Sequence, residues 1–247
     1  MKTIYILWLR QLKRYFRSRS RIIGSLGQPL LFLLALGFGF GPTFQRAGQG
    51  SYMQFLAPGI IVMSIIFTAL FSGIEIIWDR QFGFLKETLV APVSRLNIMI
   101  GRTLGGASVA TLQGIIVFFV SMLAGFRPAN WGMTPLAVLA MILTALLFCA
   151  LGTAIASSLS DMQGFQLIMN FLVMPLFFLS GALFPLPNSG AIAAIARFNP
   201  LSYGVDALRS LLVNIGHFGL AVDFPVLAAI TLLFLLVGSF LFSRIQV

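Results

Sequence analysis

Side chains that could perform catalysis or bind a metal are scarce in this sequence. Its 247 residues include one histidine, His217, and one cysteine, Cys149. A zinc site of the H-E-x-x-H type needs two histidines on one helix, so it is excluded. A single cysteine inside an apolar segment is typical of a small buried residue. We therefore expect no catalytic residue and no metal site in this chain.

Nucleotide-binding chemistry is missing as well. No lysine follows a glycine, so the G-x-x-x-x-G-K-[ST] loop that cradles phosphates is absent. The stretch GFGFG (37–41) ends an apolar segment instead of following a strand, and GRTLG (101–105) repeats its G-x-x-x-G spacing. This spacing favours close helix packing over dinucleotide binding. We expect no cofactor in this chain.

The composition is that of an integral membrane protein. Hydrophobic residues make up 59% of the chain and charged residues only 9%, whereas soluble domains contain about 25% charged residues. The net charge is +10. Its cations crowd beside apolar segments, which indicates contact with an anionic membrane face and not with nucleic acid.

Six apolar segments approach the roughly 20 residues that a membrane-spanning helix requires. They cover residues 22–41, 56–77, 105–125, 134–157, 164–181 and 224–242. A signal peptide is the alternative for the first, but its basic flank is long and no clean cleavage site follows. The predicted fold class is an all-α membrane domain over residues 1–247, with six transmembrane helices.

Lysine and arginine are distributed unevenly between the loops of this layout. Twelve lie on the side of the two termini, and four lie on the other side: Arg46, Arg127, Arg197 and Arg209. Because cytoplasmic loops carry the excess of these residues, both termini are predicted to be cytoplasmic.

The N-terminal segment 3–17 has an amphipathic pattern. Apolar residues recur at helical spacing: Ile4, Trp8, Leu12, Tyr15 and Phe16. Basic residues lie on the other face: Arg10, Lys13, Arg14 and Arg17. This pattern predicts an interfacial helix that contacts membrane lipids. Its role as a topology anchor or as a docking site for a partner stays open.

Ionisable residues are nearly absent from the centres of the predicted spans. An ion-coupled transporter would need them there. The polar residues inside are Gln28, Gln113 and Asn170, which are more often interhelical hydrogen bonds than ligand sites. We keep Gln113 and Asn170 as candidates for a transport pathway, and we expect the energy for transport to come from another chain.

Two loops are informative. Residues 78–102 combine charges with three apolar residues at helical spacing, Phe82, Leu85 and Leu89, and Pro92 follows them. This pattern predicts a short cytoplasmic helix that ends before the proline and that a partner or lipid covers.

Residues 182–213 hold apolar stretches that are too short to cross a membrane. They favour external re-entrant helices over a surface loop beyond Gly181.

Three stretches carry a resemblance to a known family. LKETLVAPVSR (85–95), FFLSGALFPLP (177–187) and NPLSYGVDALR (199–209) resemble, in order and spacing, the membrane subunit of bacterial ABC-2 type exporters, especially the daunorubicin-resistance-like permeases. The resemblance implies a dimer of permeases in the inner membrane, bound to two copies of a separate ATPase that holds ATP and Mg²⁺. It implies outward export of an amphipathic substrate, drug-like in the first instance.

The resemblance and the loop patterns together assign two candidate sites. The ATPase-coupling site comprises Phe82, Gly83, Leu85, Glu87, Leu89, Pro92 and Arg95. The outer gate comprises Gly181, Phe184, Pro185, Pro187, Asn199, Pro200, Tyr203, Asp206 and Arg209.

Three other functions stay open at this point. One is an exporter of a lipid or a lipid-linked glycan on the same architecture. The second is a membrane-embedded enzyme that acts on lipid, against which the lack of any histidine, cysteine or carboxylate cluster argues. The third is a scaffold for other membrane proteins.

Overall fold

The computed structural model describes residues 2–46, 50–83, 93–186 and 189–244, apart from the side chains of Ser20 and Arg21. This part of the chain is helical and contains no strand, which confirms the predicted class. The helices are α1 (Lys2–Arg17), α2 (Arg19–Arg46), α3 (Tyr52–Phe71), α4 (Ile74–Gln81), α5 (Arg95–Leu123), α6 (Thr134–Ser158), α7 (Met162–Phe178), α8 (Ala191–Phe198), α9 (Pro200–Val213) and α10 (Leu220–Ser243).

Five helical stretches within the described residues are long and apolar enough to cross a membrane. They are Ile22–Arg46, Tyr52–Gln81, Arg95–Leu123, Trp131–Ser158 and Leu220–Ser243. The predicted span 164–181 corresponds to α7, which is apolar but has only 17 residues. A helix of that length extends roughly 25 Å, less than the roughly 30 Å of hydrocarbon. The count of six spans stays a prediction.

Two helix boundaries differ from the predicted spans. The helix α5 begins at Arg95 and not near residue 105, and the Ser94 side chain caps it by accepting the Asn97 N–H at 3.3 Å. The predicted second span is two helices, α3 and α4, which are separated at Ser72 and Gly73. At the start of α5 charged residues interrupt the apolar pattern without interrupting the helix. At Ser72 and Gly73 the apolar pattern continues although the helix is broken, so hydropathy alone misplaced both boundaries.

The long helices alternate in direction, so their ends meet at two ends of a bundle. At one end Arg95 donates to the Ser243 carbonyl at 2.5 Å, and Gln81 donates to the Ser160 carbonyl at 3.1 Å. We call this the α1 end because α1 packs there. At the opposite end, the α9 end, the Ala129 N–H donates to the Leu212 carbonyl at 2.7 Å.

The helix α3 lies at the centre of the bundle, with residues such as Ile60, Ile65 and Leu70 fully buried. It packs against α2, α5, α6 and α9. Large apolar side chains remain exposed on α2, α7 and α10, for example Phe38, Phe171 and Leu236. Apolar outer faces around a buried central helix are typical of a membrane domain.

Two short helices, α8 and α9, occupy most of the segment 182–213, where short helices were predicted. The Asn199 side chain caps α9 by accepting the Leu201 N–H at 3.0 Å, and Pro200 occupies the first turn. Leu201, Leu208 and Leu212 of α9 are buried against the bundle. Insertion of these helices into the outer leaflet stays a prediction.

Candidate functional site

At the α1 end, the N-terminal helix packs closely along α5. A Cβ atom added at Gly101 would lie 3.0 Å from the Leu7 Cβ, and one at Gly105 would lie 2.6 Å from the Gln11 Cγ. The two glycines of GRTLG therefore form the groove that receives α1. The packed face of α1 consists of Leu7, Gln11 and Tyr15. This packed face is not the apolar face that the sequence predicted. It includes a glutamine because the aliphatic part of that side chain can pack against a glycine, which has no side chain.

Hydrogen bonds fix α1 on α5 at two further points. The Trp8 Nε1–H donates to Ser108 Oγ at 2.9 Å, and the Tyr15 hydroxyl donates to Gln113 Oε1 at 2.5 Å. Gln113 is fully buried, and its amide nitrogen has no partner within the described chain. The arrangement makes Gln113 an interhelical link between α1 and α5.

A charged cluster connects α1, α4 and α5. Asp79 of α4 accepts from Arg10 of α1 at 3.0 Å and, through the same oxygen, from Arg102 of α5. Arg102 is 5% exposed, and it is the buried member of what we call the Asp79 node (Arg10, Asp79, Arg102). A buried guanidinium without its carboxylate partner typically costs about 3–5 kcal/mol, so Asp79 is essential to this contact.

A second ion pair supports the Asp79 node one helical turn away. Arg14 of α1 lies 3.6 Å from the carboxylate of Glu75 of α4, and its guanidinium lies 6.0 Å from the centre of the Trp78 ring. An open pocket of about 260 Å³ between α1 and α4 is lined by Arg10, Arg14, Trp78, Asp79 and Phe82. These contacts make α1 and α4 a joined unit at the point where the chain enters the predicted coupling segment.

At the α9 end, Arg209 holds an irregular backbone segment. It donates to the carbonyls of Gly181 at 2.9 Å and Ala182 at 3.2 Å, and to that of Phe55 at 3.3 Å. Its guanidinium also lies 3.8 Å from the centre of the Phe55 ring. We call this arrangement the Arg209 clamp.

Other contacts of the same region hold α9 against its neighbours along the chain. The Asn199 amide donates to the Leu176 carbonyl at 2.7 Å, and the Tyr203 hydroxyl donates to the Arg197 carbonyl at 2.6 Å. Asp206 accepts the backbone N–H groups of three consecutive residues between α9 and α10: His217, Phe218 and Gly219. Because these partners are backbone groups, the contacts fix the course of the chain.

The remaining predicted residues divide into three groups. Gly181 has a positive φ of 78°, which glycine adopts without strain, and it begins the turn after α7. Phe184 is exposed, Pro185 follows it in the irregular segment, and Asn170 is exposed on α7. The following lie outside the described residues: Leu85, Glu87, Leu89, Pro92 and Pro187.

Comparison with known proteins identifies the family of this chain. The sequence pattern of the ABC-2 type transporter family matches residues 2–213. The chain belongs to this family. The match covers α1 through α9, and thus both the Asp79 node and the Arg209 clamp.

Individual relatives in the family are similar over most of their length. Nodulation protein J of Rhizobium leguminosarum bv. trifolii is 30% identical over 216 residues, which cover 86% of this chain and 79% of the relative. The protein ycf38 of Pyropia yezoensis, which is named as a transport permease, is 30% identical over 218 residues, which cover 85% of this chain and 74% of the relative. The chain is therefore an ABC-2 family transport permease.

Sequence reasoning missed the Asp79 node. The sequence analysis treated Asp79 only as one of the charged residues of the loop 78–102. It counted Arg10 and Arg102 only among the cations that indicate orientation in the membrane. The G-x-x-x-G spacing of GRTLG was the available signal, because it predicted that a helix packs on the start of the third span, without indicating which helix.

Proposed function

We propose that this ABC-2 permease is the membrane subunit of an ATP-driven exporter that moves an amphipathic substrate outward. Two copies of the chain would bind two copies of a separate cytoplasmic ATPase, which holds ATP and Mg²⁺. The chain itself contributes the pathway and the contact with the ATPase. Its membership of the ABC-2 family and its apolar outer faces support this proposal.

The Asp79 node is the observation that carries the proposal. The helix α4 ends at Gln81, directly before the segment that holds the predicted coupling residues. Asp79 binds α1 and α5 at once. A displacement of the coupling segment by a closing ATPase would therefore move α4, and ionic contacts would pass this movement to α1 and to the long helix α5.

The orientation proposed for the chain places the α1 end in the cytoplasm. The described cations at that end include Lys13, Arg17, Arg19, Arg80 and Arg244, whereas the α9 end has Arg46, Arg127, Arg197 and Arg209. The positive-inside rule supports this direction, and if α7 also crosses the membrane, the even number of six spans returns the C-terminus to the same side.

The Arg209 clamp is proposed as the outer gate. An irregular backbone at membrane depth needs internal partners for its carbonyl groups, and Arg209 donates to two carbonyls of the segment after α7 and to one carbonyl of α3. A gate of this kind would move together with α9, because Arg209 keeps the segment after α7 attached to that helix, with α8 and α9 as the re-entrant helices.

The substrate class follows from the family resemblance. A drug-like amphiphile is the first candidate, and a lipid or lipid-linked glycan is the second. The names of the two relatives described above specify a transport permease and a nodulation protein, and they name no drug. The proposal therefore commits to an amphipathic substrate and leaves its two chemical forms to the assay.

The test is reconstitution of the chain with an ATPase encoded beside it. We expect the two proteins to co-purify, and we expect a transported amphiphile to stimulate ATP hydrolysis by the complex, while the chain alone binds no ATP. Tight ATP binding by the chain alone, or failure of every neighbouring ATPase to bind it, would contradict the proposal. Glu87→Lys adds charge without changing topology and should abolish co-purification or stimulation, if the segment before α5 is the coupling element.

A further inference from the structure

A buried carboxyl group at the start of α10 has no hydrogen-bond donor. It belongs to Asp223, which lies in the first turn of that helix and has no exposed surface. Neither of its two side-chain oxygens has a hydrogen-bond partner among the described residues. An ionised carboxylate in this place would lose its hydration and receive no donor in exchange, which is costly. Something must therefore neutralise the Asp223 side chain.

A second buried carboxyl group, that of Asp206 on α9, lies within hydrogen-bonding reach of Asp223. Asp206 accepts three backbone N–H groups, from His217 at 2.7 Å, Phe218 at 2.8 Å and Gly219 at 3.3 Å. Hydrogen bonds from N–H groups stabilise the ionised form of a carboxyl group. The negative charge of the pair therefore belongs on Asp206, at the N-terminus of α10.

Three ionisable side chains on α9 and in the loop before α10 lie near this pair, but none of them donates to Asp223. The Tyr203 hydroxyl donates to a backbone carbonyl of α8. Arg209 interacts with Asp206, and its hydrogen bonds go to backbone carbonyls. The side chain of His217 is exposed, and this residue contacts Asp206 through its backbone N–H.

The other helices that pack against α10 bring no cation to Asp223. These helices are α5 and α6, whose ionisable residues are Arg95, Arg102 and Cys149. Arg95 and Arg102 form their hydrogen bonds at the α1 end, and Cys149 contacts the break between α3 and α4 near the same end. The described residues also include no group of three side chains that could hold a metal ion. A proton is thus the simplest group that neutralises Asp223.

We propose that Asp206 and Asp223 form a proton-binding site that joins α9 to α10. The proton resides on Asp223, and the resulting O–H group donates to the ionised carboxylate of Asp206. A hydrogen bond of this kind, between a neutral acid and a carboxylate, is short and strong. Without the proton, two acceptors and two like charges would face each other inside the protein.

A pocket at the α9 end gives this proton a route to the solution. The pocket has a volume of about 110 Å³, and its lining includes Asp206 and the exposed residue His217. Asp223 has no surface of its own, so its proton exchanges with water through Asp206. If the orientation proposed above holds, this pocket opens on the outer side of the membrane.

The proton site does not depend on ATP-driven export. If the proposed outer gate also exists, release of the proton would loosen α9, the helix that carries Arg209, from α10. That consequence rests on the proposed function. The site itself is measured on the permease without an ATPase, so a failure of ATPase binding would contradict the proposed function and leave the proton site untouched.

Infrared spectroscopy of the full chain in detergent tests the site directly, because a protonated carboxyl group has a carbonyl stretch that an ionised carboxylate lacks. The wild type should show this band at neutral pH, and Asp223→Asn should lose one carboxyl group from it. The matched control is Asp161→Asn, which alters an exposed aspartate that caps α7 and should leave the band unchanged.

A wild-type chain without a protonated carboxyl group at neutral pH would overturn the proposal, and this measurement needs no variant. A band of equal size in the wild type and Asp223→Asn would overturn it as well, because the proton would then reside elsewhere.

The pH dependence of unfolding supplies a second test. An exposed aspartate of the unfolded chain is ionised above about pH 4, so unfolding of the wild type at neutral pH releases the proton. Raising the pH therefore favours the unfolded state, by about tenfold in the unfolding equilibrium constant per pH unit while the folded chain keeps the proton. Asp223→Asn should lack this contribution, whereas Asp161→Asn should retain it. The same pH dependence in the wild type and Asp223→Asn would overturn the proposal.

Addition of Ca²⁺ at constant ionic strength separates a proton from a metal ion. A site neutralised by a proton has one carboxylate whose oxygens already accept three N–H groups, so Ca²⁺ should change the thermal midpoints of the wild type and Asp223→Asn equally. A rise for the wild type alone would show that a metal ion joins two ionised carboxylates, and the proposal would fail.

Discussion

The Asp79 node and the Arg209 clamp both place buried arginines between helices, but they use different partners. Asp79 joins side chains of α1, α4 and α5, and Arg10 remains 44% exposed at its side chain. Arg209 donates to three backbone carbonyls. An ion pair between side chains can exchange partners while every helix stays intact. A side chain that satisfies irregular backbone cannot leave without exposing the carbonyls that it covers.

This difference assigns separate roles to the two ends of the bundle. The α1 end can transmit a movement between whole helices, because its contacts are side chains on three separate helices. The α9 end keeps a broken segment in place, because its contacts satisfy the backbone. Substitutions at the two ends should therefore differ in their effects on stability and on coupling.

The largest loss of stability is expected for Arg209→Met at the α9 end. The carbonyls of Gly181 and Ala182 would lose the donor that Arg209 supplies, and each unsatisfied buried acceptor costs about 1–3 kcal/mol. We expect the thermal midpoint in detergent to fall more than for any variant below. Arg209→Lys retains the charge but not the forked donors, so its midpoint should lie between those of the wild type and Arg209→Met. A midpoint for Arg209→Lys equal to that of the wild type would show that charge, and not the forked bonding to the backbone, is what matters.

A smaller loss, about 3 kcal/mol, is expected for Asp79→Asn at the α1 end. Arg102 would remain buried without a carboxylate. The control is Asp161→Asn, which makes the same change at the cap of α7, where Asp161 accepts the Gln163 N–H at 3.0 Å. Asparagine caps a helix about as well as aspartate, so the control should melt as the wild type does. If both variants have the same thermal midpoint, the Asp79 node contributes little to the stability of the fold.

The packing of α1 on α5 is tested by Gly105→Ala. The new methyl group would lie 2.6 Å from the Gln11 Cγ, and overpacking of this kind costs about 1–3 kcal/mol. The same substitution at Gly39 meets no atom within 4 Å, and it should be neutral or slightly stabilising because alanine favours helix. The thermal midpoints of the two variants should therefore move apart, and a fall for Gly39→Ala alone would contradict the packing described.

The smallest effect is expected for Asn199→Ala, which removes the α9 cap and the bond to the Leu176 carbonyl. Loss of a cap costs about 1 kcal/mol, and the second bond adds a similar amount. Ser94→Ala removes one longer cap bond, at 3.3 Å on an exposed surface, and should cost less. Chemical denaturation of the two variants measures how much free energy of unfolding each one loses. A larger loss for Ser94→Ala than for Asn199→Ala would contradict this expectation.

Sequence and structure agree best where one segment suffices to define the feature. Apolar length located the long helices, and the short apolar stretches of residues 182–213 indicated short helices, where α8 and α9 lie. The stretches 177–187 and 199–209 were identified as important, but their pairing through Asn199 and Arg209 required the positions of both in space. Hydropathy could not show that α5 begins at Arg95, because a charged first turn has the composition of a loop.

The Asp79 node could not be derived from the sequence for a related reason. Its residues lie on three helices, with Arg10 separated from Asp79 by 69 positions and Arg102 by 23. Nothing in the local pattern distinguishes them from the exposed cations Arg17 and Arg19. Burial and distance make that distinction, and both arise only when α1 packs on α5.

The most direct test of coupling through the α1 end is substrate-stimulated ATP hydrolysis by the assembled complex of Asp79→Asn, with Asp161→Asn as its matched control. Rates are compared per folded complex at a temperature below both melting transitions, so that lost stability does not count as lost coupling. We predict that the Asp79→Asn permease binds its ATPase and supports basal hydrolysis, but that stimulation by substrate is lost, while Asp161→Asn is stimulated as the wild type is. Full stimulation of the Asp79→Asn complex would contradict the assignment of the Asp79 node as the coupling joint.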